Sequence, residues 1–300
     1  MEQHRVGSGS RQVGKDISRG SLTLVATPIG NFDDISVRAL ETLKGADLIA
    51  AEDTRVTIDL LKHFGLGKPL ESYHEHNRVE KGEKLLALMI SGKKIALVSD
   101  AGMPCISDPG EMLVRTCIEN DIPVTVIPGP NAALTALSAS GLDTKSFVFE
   151  GFLSVENKVR REQLERLATE NRTAILYEAP HRLRRTLADL QASGLEQRQV
   201  VLARELTKRY EEWLRMSVDE ACKYYEQEQP RGEFVIVLEG MWEYGLRCPP
   251  DPADVEAEAR ELMRSLLDQG LSVREAAKQA SASGLMKKNE FYKLGLDLQS

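Results

Sequence analysis

The 300-residue chain is poor in cysteine, and its four cysteines are scattered. Cys105, Cys117, Cys222 and Cys248 form no Cys-x-x-Cys pair, which excludes a disulfide framework or a thiolate zinc site and leaves reduced thiols as the expectation. No apolar run approaches the ~20 residues that a membrane span needs, and the N-terminus lacks the apolar stretch of a secretory signal. Excess positive charge is missing too. The 39 Lys and Arg stand against 46 Asp and Glu, and the net charge of −7 argues against a protein that coats nucleic acid non-specifically. Nucleophile elbow, Walker A loop, metalloprotease His motif and GxGxxG are all absent. His74-Glu75-His76 has no third ligand in view, so no metal is expected and the stretch reads as a loop near the substrate, extended by Asn77-Arg78. What remains is a cytoplasmic protein of ordinary globular composition, 42% apolar and 28% charged, with room for two to three domains at ~150 residues each.

What the chain does have is a repeated device. Leu22–Ala26, Leu48–Ala51, Ile95–Val98 and Val124–Ile127 are short apolar runs that read as buried strands. Each is followed by a segment with helical spacing, the first with apolar Val37, Leu40 and Leu43 behind a cap at Asp34 or Ser36. Strands alternating with helices predict parallel βαβ units, so residues 21–142 are expected to form one α/β domain. Phe147–Phe152, Thr173–Tyr177, Val200–Ala203 and Phe234–Leu238 begin a second α/β domain, 147–240, to which Tyr210–Met216 adds a further strand. Residues 1–20, polar and Gly/Ser-rich, predict a mobile arm. Gly245 to Pro252, with Cys248-Pro249-Pro250, reads as a linker. Beyond it, Val255–Leu267, Val273–Ser281 and Lys287–Leu296 predict a small all-α, helix-turn-helix-like module over 253–300, with a capping box at Ser272-Val273-Arg274-Glu275.

The predicted strands end in Gly, Pro or small residues: Thr27-Pro28-Ile29-Gly30, Ser99-Asp100-Ala101-Gly102, Pro128-Gly129-Pro130-Asn131-Ala132, Tyr177-Glu178-Ala179-Pro180, Arg204-Glu205-Leu206-Thr207 and Gly232-Glu233. Such junctions leave backbone groups free at the carboxyl ends of strands, where open α/β sheets bind ligands. The loop from Ser99 to Gly110 is the centre of the pattern, because Gly102 and Gly110 allow close backbone approach and Asp100 offers a fixed charge. Tailored ends in two adjacent domains suggest a ligand clamped between them.

These motifs, with Ala51-Glu52-Asp53-Thr54-Arg55, His181-Arg182-Leu183 and Ala203-Arg204-Glu205-Leu206-Thr207-Lys208, occur in the order found in one family. The chain resembles the bacterial small-subunit ribosomal RNA cytidine 2′-O-methyltransferases of the tetrapyrrole-methylase superfamily, over roughly residues 21–240 and with fitting C-terminal helices. The resemblance implies two α/β domains with a cleft between them for S-adenosylmethionine, a homodimer, and methylation of a cytidine in the decoding region of 16S ribosomal RNA within the small subunit. It implies that Ile29, Asp100, Ala101, Gly102, Met103, Asn131 and Ala132 face the cofactor from the first domain, and Glu178, Leu206 and Glu233 from the second.

A ribose hydroxyl is a poor nucleophile near neutral pH, so transfer to it needs a base or strong positioning. Glu52 or Asp53 is expected to accept the proton, and Arg55 and Lys208 to hold phosphate; a structural Asp53–Arg55 pair capping a helix is the alternative. Residues 155–215 hold thirteen Lys and Arg against ten Asp and Glu. Lys158, Arg160 and Arg161, with Arg182, Arg184 and Arg185, are the expected phosphate contacts. Lys287 and Lys288, with Tyr292 and Lys293, form a candidate RNA-facing edge of the last helix, against which stands a role in packing alone. Two other functions fit parts of the chain: a small-molecule tetrapyrrole methyltransferase, which has no need of the basic segment or the helical module, and a cofactor-binding regulator that reads DNA. The acid-balanced module, eight basic residues against nine acidic over 245–300, counts against the regulator.

Overall fold

The computed structural model describes residues 20–298, so the expected N-terminal arm, apart from Gly20, lies outside the described residues. The chain divides into two compact units, Met1–Gly240 and Met241–Ser300.

The first unit contains two five-stranded sheets. One is built from β1 (Ser21–Val25), α1 (Val37–Gly45), β2 (Leu48–Ala51), α2 (Thr54–His63), β3 (Leu70–Ser72), α3 (Arg78–Ile90), β4 (Lys94–Val98), α4 (Glu111–Glu119), β5 (Val124–Ile127) and α5 (Ala132–Ser140). Its strands run parallel in the order β3-β2-β4-β1-β5. Leu22, Ile95, Leu97 and Ala50 point to one face against Leu85, Met89 and Leu113, while Val25, Ile49, Ala96 and Val98 point to the other against Ala39 and Leu43. Both faces are covered, which is why these strands read as apolar runs rather than as alternating ones. Ser36 caps α1 through the amide of Ala39, at 3.1 Å.

The second sheet comprises β6 (Phe147–Phe152), β7 (Thr173–Glu178), β8 (Gln199–Arg204), β9 (Glu212–Ser217) and β10 (Phe234–Leu238), with α6 (Asn157–Thr169), α7 (Pro180–Leu190) and α8 (Val218–Gln227) on one face. Its order is β6-β7-β10-β8-β9. β6 pairs parallel with β7, but β10 runs antiparallel to both β7 and β8. The register sets Phe234 opposite both Glu178 and Arg204. The start of β10 therefore lies at the same end of the sheet as the finish of β7 and β8.

The two sheets share one unit because α5 lies against the second. Ala133, Ala136 and Leu137 pack on Ile175, Val201, Ala203, Val235 and Val237. Small side chains allow that close approach. Tyr177 Oη accepts a hydrogen bond from the Ala133 amide at 3.2 Å, and Arg215 donates to the carbonyls of Ala139 and Ser140 at the end of α5.

The second unit holds α9 (Met241–Arg247), α10 (Pro252–Asp268), α11 (Val273–Ala280) and α12 (Lys288–Asp297). Gly245 lies inside α9, so the expected linker is shorter than its composition suggested and the break falls on Pro249-Pro250. Met263, Leu266, Ala277, Phe291 and Leu294 form the core of this unit, and the Ser272–Glu275 capping box is present.

Candidate active site

A cleft of about 560 Å³ opens at the carboxyl ends of β1, β4 and β5 and the matching end of the second sheet. The strand order of the first sheet reverses around β4 and β1, so the loops that leave these neighbours part there. The two loops are stitched by a pair of backbone hydrogen bonds between Thr27 and Gly102, 2.9 and 3.0 Å long. Gly102 has a φ of +81°, and a Cβ there would stand 3.3 Å from Ile29 Cγ2. Gly30 is needed for another reason: a Cβ on it would lie 2.9 Å from the Leu206 carbonyl, so only glycine lets the β1 loop meet the loop after β8. Among the described residues five non-glycines have positive φ, and four of them (Cys105, Ser107, Glu205 and Thr207) belong to the two loops that border this cleft. Strained backbone is thus concentrated around this one cavity, which makes it the candidate functional site.

Ile29, Asp100, Ala101, Gly102, Met103, Asn131 and Ala132 line the cleft from the first sheet, and Glu178, Leu206 and Glu233 from the second. All ten residues expected to face a cofactor are thus in one cavity. Their tasks differ. Asn131 caps α5, accepting from the Leu134 amide at 2.9 Å, and so aims the helix N-terminus at the cleft. Glu178 is buried, and its carboxylate is taken up by the Ala179 amide, the Thr186 hydroxyl and Arg182. It shapes the wall by fixing the start of α7. Glu233 pairs with Lys208 at 2.8 Å, and Lys208 also reaches Glu205 at 3.0 Å.

Glu52 and Asp53 are consecutive at the end of β2, and the structure separates them. Glu52 lines the cleft. Burial, and next the negative charges of Asp108 and Asp100, push its carboxyl up to about 7. Asp53 points away and caps α2 through the Arg55 amide at 2.8 Å, while its carboxylate also holds the Arg55 guanidinium. Those bonds pull it down to about 2. Asp53 as proton acceptor is therefore corrected: the Asp53–Arg55 pair is the helix cap that stood as the alternative. Its backbone matters more, since the Asp53 amide donates to Asp100 Oδ1 at 2.9 Å and joins the β2 and β4 loops. Lys208, expected to hold phosphate, lines the cleft with its ammonium engaged by two carboxylates.

Asp108 was not singled out from the sequence, although it stands in the Ser99–Gly110 loop. It lines the cleft and burial pushes it up to about 6. Tyr177 and Phe152 also line the cleft, their rings 5.7 Å apart.

The basic residues divide in the same way. Lys158, Arg161 and Arg185 are exposed on α6 and α7, as is Arg184. Arg160 is 3% exposed, bonded to Asp189 Oδ2 at 2.6 Å and to the Thr186 hydroxyl at 2.9 Å. Arg160 as a phosphate contact is corrected: it holds α6 to α7. Arg182 is half-buried and gives its guanidinium to the Leu153 carbonyl and Glu178. Lys287 and Lys288 are exposed at the start of α12. Among the described residues no cluster of three or more His, Cys, Asp or Glu is placed to hold a metal ion, and no helix is long and apolar enough to cross a membrane.

The fold is thus two sheets joined through α5, with a strained, acid-lined cleft at their shared edge. The family model for Tetrapyrrole (Corrin/Porphyrin) Methylases matches residues 21–222. A crystal structure of uroporphyrin-III C-methyl transferase from Thermus thermophilus, complexed with S-adenyl homocysteine, has the same fold. It aligns with a TM-score of 0.54 at 17% identity, over 73% of this chain and 97% of that one. A Synechocystis protein named Ribosomal RNA small subunit methyltransferase I is 48% identical over 94% of this chain and 99% of its own length. The protein of that name from Escherichia coli O157:H7 is 46% identical over 95% and 97%. The chain belongs to the tetrapyrrole methylase family and, within it, to the group of ribosomal RNA small subunit methyltransferase I.

Proposed function

We propose that the protein methylates the ribose 2′-hydroxyl of a cytidine in the decoding region of 16S ribosomal RNA, using S-adenosylmethionine and acting as a homodimer on the small subunit in the cytoplasm. The donor set suits that cofactor. The cleft volume falls within the range of small-molecule sites. Ile29, Met103, Leu206 and Val235 provide apolar surface for an adenosine, and the surplus of carboxylates over the single Lys208 favours a ligand with cationic centres. The positive end of the α5 dipole favours a carboxylate there. Bound there, the cofactor supplies an electrophilic methyl group on a sulfonium.

The residues of the chain then have three tasks. The walls exclude water and hold the hydroxyl in line with the methyl group, which is where most of the acceleration from positioning arises. Glu52 would accept the proton that the hydroxyl gives up in exchange for the methyl group, whose bond to the sulfonium sulfur is the one broken. A carboxylate near its usual value is a weak base for an alcohol, and burial beside Asp108 and Asp100 makes Glu52 a stronger one. The RNA backbone is held away from the acidic cleft by the exposed Lys158, Arg161, Arg184 and Arg185.

The observation that carries this reading is the convergence of Glu52 and the ten expected cofactor-facing residues on one cavity. Labelled S-adenosylmethionine incubated with small subunits is expected to leave label in an alkali-resistant dinucleotide, the mark of a methylated ribose, and Asp100→Ala is expected to abolish it. Unlabelled subunits and free RNA, with protein that still binds S-adenosylhomocysteine, would overturn the reading in favour of a tetrapyrrole-type substrate.

A further inference from the structure

A second recess, of about 200 Å³, shares the Asp100 wall with the cleft. It lies between the loop after β1, the first turns of α2 and the end of β4, and its walls are largely carbon: Pro28, Phe32, Val56 and Leu60. Phe32 and Val56 remain 39% and 44% exposed. Phe32 does not drift, because its ring rests on His63 with centroids 4.8 Å apart, and Asn31 caps the short helical turn that carries it. Beside them on α2, Asp59 lines the recess, exposed and with no hydrogen bond or ion pair among the described residues.

We propose that this recess receives the base of the nucleotide whose ribose is methylated, and that Asp59 reads the exocyclic amine of that base. The proposal rests on the RNA reading above. Size is the first argument. A cavity of 200 Å³ is smaller than the ~300 Å³ from which drug-sized sites begin, so it accepts a single ring and not a whole nucleotide. Its surface is the second. A base taken out of its stack is held between aromatic and apolar side chains, which Phe32, Val56 and Leu60 provide.

Chemistry is the third argument. The Asp59 carboxylate oxygens accept hydrogen bonds, so they favour a base with an amine at its edge and disfavour uracil, which turns a carbonyl there. Among amine-bearing bases, the volume selects cytosine over the larger adenine. Position is the fourth. The sugar is one bond from the base, so a base in the recess sets its ribose over Asp100. Glu52 and the cleft lie on that side, and the Asp53 amide bond to Asp100 keeps the wall between the two cavities in place.

The test uses the full-length protein and two variants, Phe32→Ala and Asp59→Asn. Methyl transfer is measured into small subunits reconstituted with cytidine or uridine at the acceptor position, and S-adenosylhomocysteine binding is measured separately by equilibrium dialysis. Both variants are expected to bind S-adenosylhomocysteine within about twofold of the wild type, because neither residue lines the cleft. Phe32→Ala is expected to lower kcat/KM about tenfold, the usual effect of losing one base stack. Asp59→Asn is expected to lower it comparably on cytidine and to raise the relative rate on uridine, since the amide can donate to a carbonyl. If the wild type labels subunits while both variants keep its kcat/KM and its preference for cytidine, the base site is overturned and the RNA reading stands. If the wild type binds S-adenosylhomocysteine but labels no RNA, both fall together.

Discussion

Replacing Glu52 with glutamine tests the chemistry most directly, because it should remove activity and add stability at once. The side chain keeps its length and an oxygen for the loop, but it can neither take a proton nor carry charge. Loss of a general base costs about 10²–10⁴-fold in rate, and kcat should fall by that factor. The stability effect follows from the raised pKa. Glu52 goes from 4.5 to about 7 on folding, so the native chain holds that proton more tightly than the unfolded one. Stability from this group is therefore present below pH 4.5 and is lost as pH rises toward about 7. For a fully buried carboxyl such a change corresponds to roughly 3 kcal/mol. Glu52 is only half-buried, and screening by water leaves about 1 kcal/mol. At pH 8, Glu52→Gln should thus melt about 2–4 °C higher than the wild type. The assays are single-turnover methyl transfer from pH 5.5 to 9 and calorimetry at pH 8. Wild-type kcat/KM should climb with pH through an apparent value of about 7, the value burial and the Asp108 and Asp100 charges impose, and the glutamine variant should lose that limb. A variant within a few-fold of wild type, or one that keeps the same pH dependence, would refute Glu52 as the base.

Other residues separate structural from chemical roles. Asp53→Ala removes the α2 cap and should cost about 1 kcal/mol in a urea melt, while the pH profile of transfer keeps its shape and its midpoint falls only slightly, because the Asp53 charge is the least of those that raise Glu52. Arg160→Met breaks a buried pair and leaves Asp189 with only the Arg185 guanidinium, 3.8 Å away; since Asp189 is part-exposed, the loss should be about 2 kcal/mol, with no change in the salt dependence of RNA binding. Arg161→Ala and Arg185→Ala should do the opposite, each lowering the slope of log K against log salt by about one with little effect on stability. Gly102→Ala forces a side chain into a positive-φ position beside Ile29; it should cost about 1–2 kcal/mol and weaken S-adenosylhomocysteine in equilibrium dialysis.

Much of this protein is legible along the chain, for local reasons. A strand buried on both faces must be continuously apolar, so Leu22–Ala26 and Ile95–Val98 stand out. The small and glycine residues that follow them stand out as well, since only these allow Thr27 to pair with Gly102 or Gly30 to meet the Leu206 carbonyl. Ser36 and the Ser272–Glu275 box are readable because a cap depends on residues three positions apart. The ordered strand-end motifs therefore pointed to the family and to ten of the residues that line the cleft.

Neighbouring residues of like chemistry were the part that sequence could not resolve. Glu52 and Asp53 are both carboxylates, and Arg160 and Arg161 are both guanidinium groups. Which one faces the cleft or the solvent depends on rotation about a strand end or a helix axis, and that is set by what packs on the other side. Asp108 owes its raised pKa to burial under loops distant in sequence. Lys208 is paired with Glu233, which the antiparallel β10 brings to the same edge. Composition, periodicity and motif order by themselves determined the α/β class, the strand-end loops and the family of this protein. The assignment of base, cap, ion pair and base-sized recess was decided only by tertiary structure, because burial, charge proximity and register arise between residues that meet only when the chain has folded.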